Sequence, residues 1–190
     1  MHTRTHTHTH TRTQWGLSKD WAASGLRVGF LYTHNADLLA ALSNVNYFTT
    51  VSNDTQDALA GVLEDATWSD AYLSSCRAHL RAAAAAVREE VAVAAATGMR
   101  IALSPQAGMF AWLDLRCLLR AAPGDADGWA AEARLTEDML KHARVIFTPG
   151  SACHADEPGF YRVCFAWMPT DAVREGFRRL RDFAECRQLV

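Results

Sequence analysis

The chain has 190 residues, 49% of them hydrophobic, enough for a packed core and far from a disordered composition. Lys and Arg number 19 against 21 Asp and Glu, a formal net charge of −2, which gives no electrostatic reason to expect nucleic acid or an acidic membrane as partner. No apolar run approaches the roughly 20 residues that cross a bilayer, and the start is polar, without the apolar core of a secretory signal.

Residues 1–14, MHTRTHTHTHTRTQ, have nothing apolar after Met1 and are expected to be disordered. A CA dinucleotide repeat encodes His-Thr when translated, so this tail is read as translated non-coding sequence, with the real protein continuing upstream. A metal-binding His tract is the competing reading. Gly25–Thr33, GLRVGFLYT, reads as a buried strand. Asn35 is a candidate N-cap for a helix carrying Leu38, Leu39 and Leu42 on one face, and Asn53 or Asp54 for a second with Leu59, Val62 and Leu63. The longest helix is expected from Ser69 to Thr97, with Tyr72, Cys76, Leu80, Val87 and Val91 near helical spacing, ended by Gly98. Its block Ala82–Ala86 is helix filler.

Beyond it, Met99–Leu103 and Met109–Leu115 are expected strands separated by Ser104-Pro105-Gln106 and Gly108. Residues 122–128 form a loop, Trp129 to Arg144 a helix, Val145–Phe147 a short strand, and Pro149-Gly150 a turn. Tyr161–Ala166 is a strand, and Thr170 or Asp171 caps a last helix with Val173, Phe177, Leu180 and Phe183 inward. Helices and strands alternate without internal repeat, so the class is mixed α/β. Cys76, Cys117, Cys153, Cys164 and Cys186 are odd in number and lack metal-ligand spacing. They read as reduced thiols of an intracellular, cytoplasmic protein. His34, His79, His142 and His154 are isolated, so no metal site is expected. Cys153 and Cys164 lack a paired base for nucleophilic catalysis, and Trp112, Phe165 and Trp167 are read as core.

Three blocks carry chemistry. Gly16–Gly29 reads GLSKDWAASGLRVG, with small Ser18 before Lys19 and Arg27-Val28-Gly29 following. It resembles the cofactor-attachment segment of class I aminotransferases, which are pyridoxal 5′-phosphate (PLP) enzymes. Residues 104–116, SPQAGMFAWLDLR, resemble the family's small-domain segment, and residues 147–168, FTPGSACHADEPGFYRVCFAWM, its late block with the substrate-carboxylate arginine. The blocks stand in the family's order, cover about residues 16–187, and in wording are similar to the 1-aminocyclopropane-1-carboxylate synthase branch.

The resemblance implies the C-terminal part of PLP fold type I. Residues 15–50 would end the cofactor-binding large domain, and 51–190 would form the connecting helix and small domain. It implies Lys19 as the residue that holds the cofactor as a Schiff base and acts as general base, a role that requires a neutral amine. Arg27 would clamp the phosphate, and Arg162 the α-carboxylate of an amino acid, both suited to paired hydrogen bonds. Taken singly, a lysine beside Asp20, an arginine before a strand and an arginine on a strand are ordinary surface residues.

Two departures matter. Gly16 stands where the family usually has a phosphate-binding serine. The family's ring-nitrogen aspartate, ring-oxygen tyrosine and asparagine, and ring-stacking aromatic all precede the lysine, and none lies in the His-Thr tail. The complete protein is therefore expected to be a homodimeric PLP-dependent aminotransferase or synthase, while the 190-residue chain is expected to be inactive. A non-catalytic remnant serving as an interaction module is the rival reading.

Overall fold

The computed structural model describes residues 12–125 and 127–188. Two compact units divide between Ser75 and Cys76, inside the longest helix. Among the described residues no helix is long and apolar enough to cross a membrane.

The first unit opens with an antiparallel ribbon. Strand β1 (Arg12–Gly16) pairs residue for residue with β2 (Gly29–Thr33), from Arg12 opposite Thr33 to Gly16 opposite Gly29. Residues 12–14, expected to be disordered, are thus ordered by ladder hydrogen bonds; the rest of the tail lies outside the described residues. Between the strands sits a one-turn helix, α1 (Leu17–Asp20), and a 3₁₀ turn at Ser24–Leu26. Helix α2 (Ala36–Asn46) begins where expected, because the Asn35 side chain accepts the Leu38 N–H at 3.0 Å. Helix α3 (Asn53–Glu64) is capped one residue earlier than expected, by Ser52 through the Thr55 N–H.

The expected burial of this unit does not hold. In β2, Phe30 is 50% and Tyr32 61% exposed, and neither α2 nor α3 has a buried residue. A two-stranded ribbon has no second layer to cover its faces. Among the described residues of this unit only Leu17, Val28 and Thr33 are buried.

Helix α4 (Ala66–Val93) continues into a 3₁₀ turn at Ala95–Thr97, and Gly98 ends it at φ 84°. Left-handed backbone there favours a residue without Cβ. In the second unit β3 (Arg100–Leu103), β4 (Phe110–Asp114), β6 (Phe160–Cys164) and β5 (Thr148–Pro149) form an antiparallel sheet in the order β3-β4-β6-β5. Ala111, Leu113, Tyr161 and Val163 alternate onto one face and are buried with Ala83 and Val87 of α4. Leu135 of α5 (Trp129–Asp138) and Val173, Phe177 and Leu180 of α6 (Thr170–Gln188) complete this core. Each large apolar side chain so buried contributes roughly 1.5–3 kcal/mol. The alanine filler has a job: Ala83, Ala84 and Ala86 let the helix approach the sheet closely.

The strand expected at Val145–Phe147 is absent. Helix α5 widens into a π-turn over Met139–Ala143, and Arg144 at φ 54° closes it. The Val145 N–H bonds the Met139 carbonyl, so Val145 finishes the helix and the ladder begins only at Thr148.

Candidate functional site

Lys19 and Arg27 share the connection between β1 and β2. That connection is closed by the Leu17 N–H on the Val28 carbonyl at 3.2 Å and the Ala23 N–H on the Leu17 carbonyl at 3.1 Å, with Leu17 and Val28 buried beneath. Lys19 projects from the single turn of α1 and is exposed. Among the described residues its ammonium makes no hydrogen bond or ion pair, not even with Asp20. The chain has two lysines, and the other, Lys141, is bound to Glu137 at 2.9 Å, a hydrogen bond that raises its pKa. Lys19 is therefore the amine left for a ligand.

Arg27 stands at φ 54°, and its Nη1 donates to the Ser24 carbonyl at 3.0 Å. No carboxylate meets it among the described residues, so its charge is not neutralised. Two residues past the lysine, Trp21 stacks on Tyr72 with ring centroids 5.5 Å apart, and Tyr72 on Trp68 at 5.2 Å. The Tyr72 hydroxyl donates to the Trp21 carbonyl at 3.1 Å. The stack braces the lysine turn against the start of α4.

Arg162 belongs to the second unit. It lies on β6 opposite Trp112 of β4 and Thr148 of β5, on the face away from the core. Its guanidinium sits over the Phe110 ring, 4.7 Å from the centroid, and has no ion pair among the described residues. Among the described residues it is the one charged side chain lining a hollow of about 600 Å³ that Leu103, Pro105, Phe110 and Trp112 make largely apolar. A planar cation in apolar surroundings is suited to a bidentate carboxylate.

Trp112, read as core, lines that hollow and stacks on Phe160 at 6.1 Å; Trp167 is 86% exposed; only Phe165 is buried. The reading also passed over Glu132, a carboxylate 1% exposed. It accepts the Ser151 N–H at 3.0 Å and the Gly159 N–H at 2.7 Å. Its spacing was the available signal, because Glu132 falls in the apolar stripe with Leu135 and Met139, three and seven residues on. Tyr161, fully buried, donates to the Glu132 carbonyl at 3.0 Å and meets Thr136 Oγ1 at 3.1 Å. Burial pushes its hydroxyl up to about 12.

Comparison with known proteins gives a consistent picture. A family model described as aminotransferase class I and II matches residues 5–180. The chain is 40% identical over 171 residues to 1-aminocyclopropane-1-carboxylate synthase 4 of Oryza sativa subsp. japonica, covering 90% of this chain and 34% of that protein. It is 32% identical over 172 residues to 1-aminocyclopropane-1-carboxylate synthase 9 of Arabidopsis thaliana, again 90% and 34%. The chain thus spans about a third of the length of the curated relatives it matches. Among solved structures, an aromatic aminotransferase from Pyrococcus horikoshii OT3 superposes with TM-score 0.76 at 22% identity, over 94% of this chain and 44% of that one. An aspartate aminotransferase from Thermus thermophilus with maleate gives 0.74 at 25%, over 93% and 42%.

Proposed function

Since the chain belongs to the class I and II aminotransferase family, whose cofactor is pyridoxal 5′-phosphate and whose fold is PLP fold type I, we propose that it is part of an enzyme acting on amino acids. The observation that carries this reading is the pair of cations, Lys19 and Arg27, displayed from one closed turn without a carboxylate partner among the described residues. The donor set fits the cofactor: an unpaired amine for its carbonyl and an unpaired guanidinium for its phosphate. When bound, pyridoxal phosphate supplies an aldehyde that captures an amine and an electron sink for the α-carbon. Lys19 Nζ would hold it and, once displaced by the substrate's amino group, take the α-proton as general base. Arg27 would hold the phosphate. Arg162 would grip the α-carboxylate bidentately.

The outcome is transamination or a 1-aminocyclopropane-1-carboxylate synthase type of ring closure, and the complete protein is a cytoplasmic homodimer on this reading. Residues 15–50 belong to the large domain and 51–190 to the connecting helix and small domain. The 190-residue chain is itself inactive, because the aspartate that would keep the ring nitrogen protonated is not among its matched motifs. The exposure of Trp15, Phe30, Tyr32, Tyr47 and Phe48 favours a second reading, a non-catalytic remnant whose first unit docks on a partner.

Borohydride fixation of pyridoxal phosphate followed by peptide mass spectrometry separates them. Label on Lys19, abolished in Lys19→Ala and intact in Lys141→Ala, supports the cofactor role. Equal label on Lys19 and Lys141 would mean surface reactivity and leave the remnant reading.

A further inference from the structure

Glu132 has no cation beside it among the described residues, although a buried carboxylate without a counter-charge costs several kcal/mol. What offsets that cost is a pair of charge-assisted bonds, from the Ser151 N–H at 3.0 Å and the Gly159 N–H at 2.7 Å. Those two amides stand at the two ends of the connection that leads from β5 into β6. Gly159 is tied on its other side as well, its carbonyl accepting the Leu115 N–H at 2.9 Å. The Glu132 carbonyl takes the Tyr161 hydroxyl at 3.0 Å, so one residue of α5 grips the start of β6 at two points.

Arg162 lies three residues past Gly159. Along β6 the core residues Tyr161 and Val163 alternate with outward Arg162. A slip of one residue would turn Arg162 inward and the core residues outward. The neighbouring strand β5 has only two residues to hold register, one of them Pro149, which brings no N–H to the ladder. On its other side β6 is paired with β4 over five residues, from Phe110 opposite Cys164 to Asp114 opposite Phe160, and the Glu132 anchor secures the head of the strand beside that ladder.

We propose that Glu132 is a positioning residue for Arg162: by pinning Ser151 and Gly159 it secures the head of β6, three residues before Arg162, and together with the β4 ladder keeps the guanidinium presented to a carboxylate. The inference rests on the assignment of Arg162 as carboxylate-binding.

Glu132→Gln tests it in the full chain. The amide keeps one acceptor oxygen for Ser151 and turns a donor toward Gly159. Three quantities are read: the Arg162 Nε–H resonance (assigned by its loss in Arg162→Lys), the affinity for benzoate, and the thermal midpoint. The expected result is a displaced or broadened Arg162 resonance and about tenfold weaker benzoate binding. Glu132→Asp, which keeps both oxygens, recovers part of each and stands in should the Gln variant not fold. Val173→Ala, a core truncation on α6 that costs stability but spares Glu132 and its partners, leaves both at wild-type values. An unchanged Arg162 resonance and benzoate affinity in Glu132→Gln, whatever the thermal midpoint does, overturns the inference. If the wild-type chain binds no benzoate, the carboxylate role of Arg162 fails, and the resonance alone decides whether Glu132 positions it.

Discussion

The Arg162 guanidinium and the Phe110 ring are diagonal neighbours on the outer face of adjacent strands, 4.7 Å from charge centre to ring centroid. The ring face holds the cation without neutralising it, so the full positive charge remains for an anion. Several other arginines of the second unit are spent differently: Arg116 on Asp114, Arg174 on Glu89 and Glu90, Arg178 on Glu175.

Arg162→Lys is expected to keep the charge and lose the planar fork, weakening carboxylate binding about tenfold, or about 1.4 kcal/mol. Stability should change by less than about 0.5 kcal/mol, since the side chain is exposed. Phe110→Leu should give a smaller loss, about 0.5–1 kcal/mol, by freeing the guanidinium. Titration calorimetry with benzoate and a urea melt check both variants.

Arg27→Gly separates binding from folding. The position has φ 54°, where glycine is at ease, so stability should stay within about 1 kcal/mol of wild type. Pyridoxal phosphate affinity should drop at least about tenfold as the phosphate clamp is lost. Unchanged cofactor affinity would remove Arg27 from the site.

Gly159 is the tightest glycine in the second unit. It has φ +94°, and a Cβ there would lie 2.7 Å from Arg116 Cγ and 3.1 Å from Arg116 Cα. Gly159→Ala should cost roughly 2–4 kcal/mol from strain and overpacking together. Gly108→Ala is the comparison: φ +78° with nothing within 4 Å, and a cost of roughly 1 kcal/mol. Equal denaturation midpoints for the two variants would contradict the crowding argument.

Tyr161 makes an alkaline prediction. Its hydroxyl is raised from 10.0 to about 12 by burial, so the folded state binds this proton more tightly than the unfolded state. Its contribution is fully present below pH 10 and is lost as pH rises toward 12. Stability should fall across that window, and the fall should be shallower in Tyr161→Phe. Parallel curves for the two proteins would show that other groups cause the loss.

By itself the sequence determined most of the local elements and the chemical character of the candidate residues. Helix α2 starts after Asn35 because an amide side chain next to an apolar stripe is a local signal, and Gly98 ends the long helix for the same kind of reason. Lys19, Arg27 and Arg162 were singled out as candidates because the motifs they stand in are contiguous. Only the tertiary structure decided which surfaces are covered. Period-2 patterns mark faces but not whether a second layer exists, so β2 was expected inside and stands exposed, while Trp112 was expected inside and lines a hollow. Tertiary structure alone also ordered residues 12–14, whose composition led to an expectation of disorder, through a ladder with residues 31–33. It likewise turned Glu132 from a misplaced charge in an apolar stripe into the anchor of β6. Its partners, Ser151 and Gly159, are brought to it by folding, across 19 and 27 residues of chain.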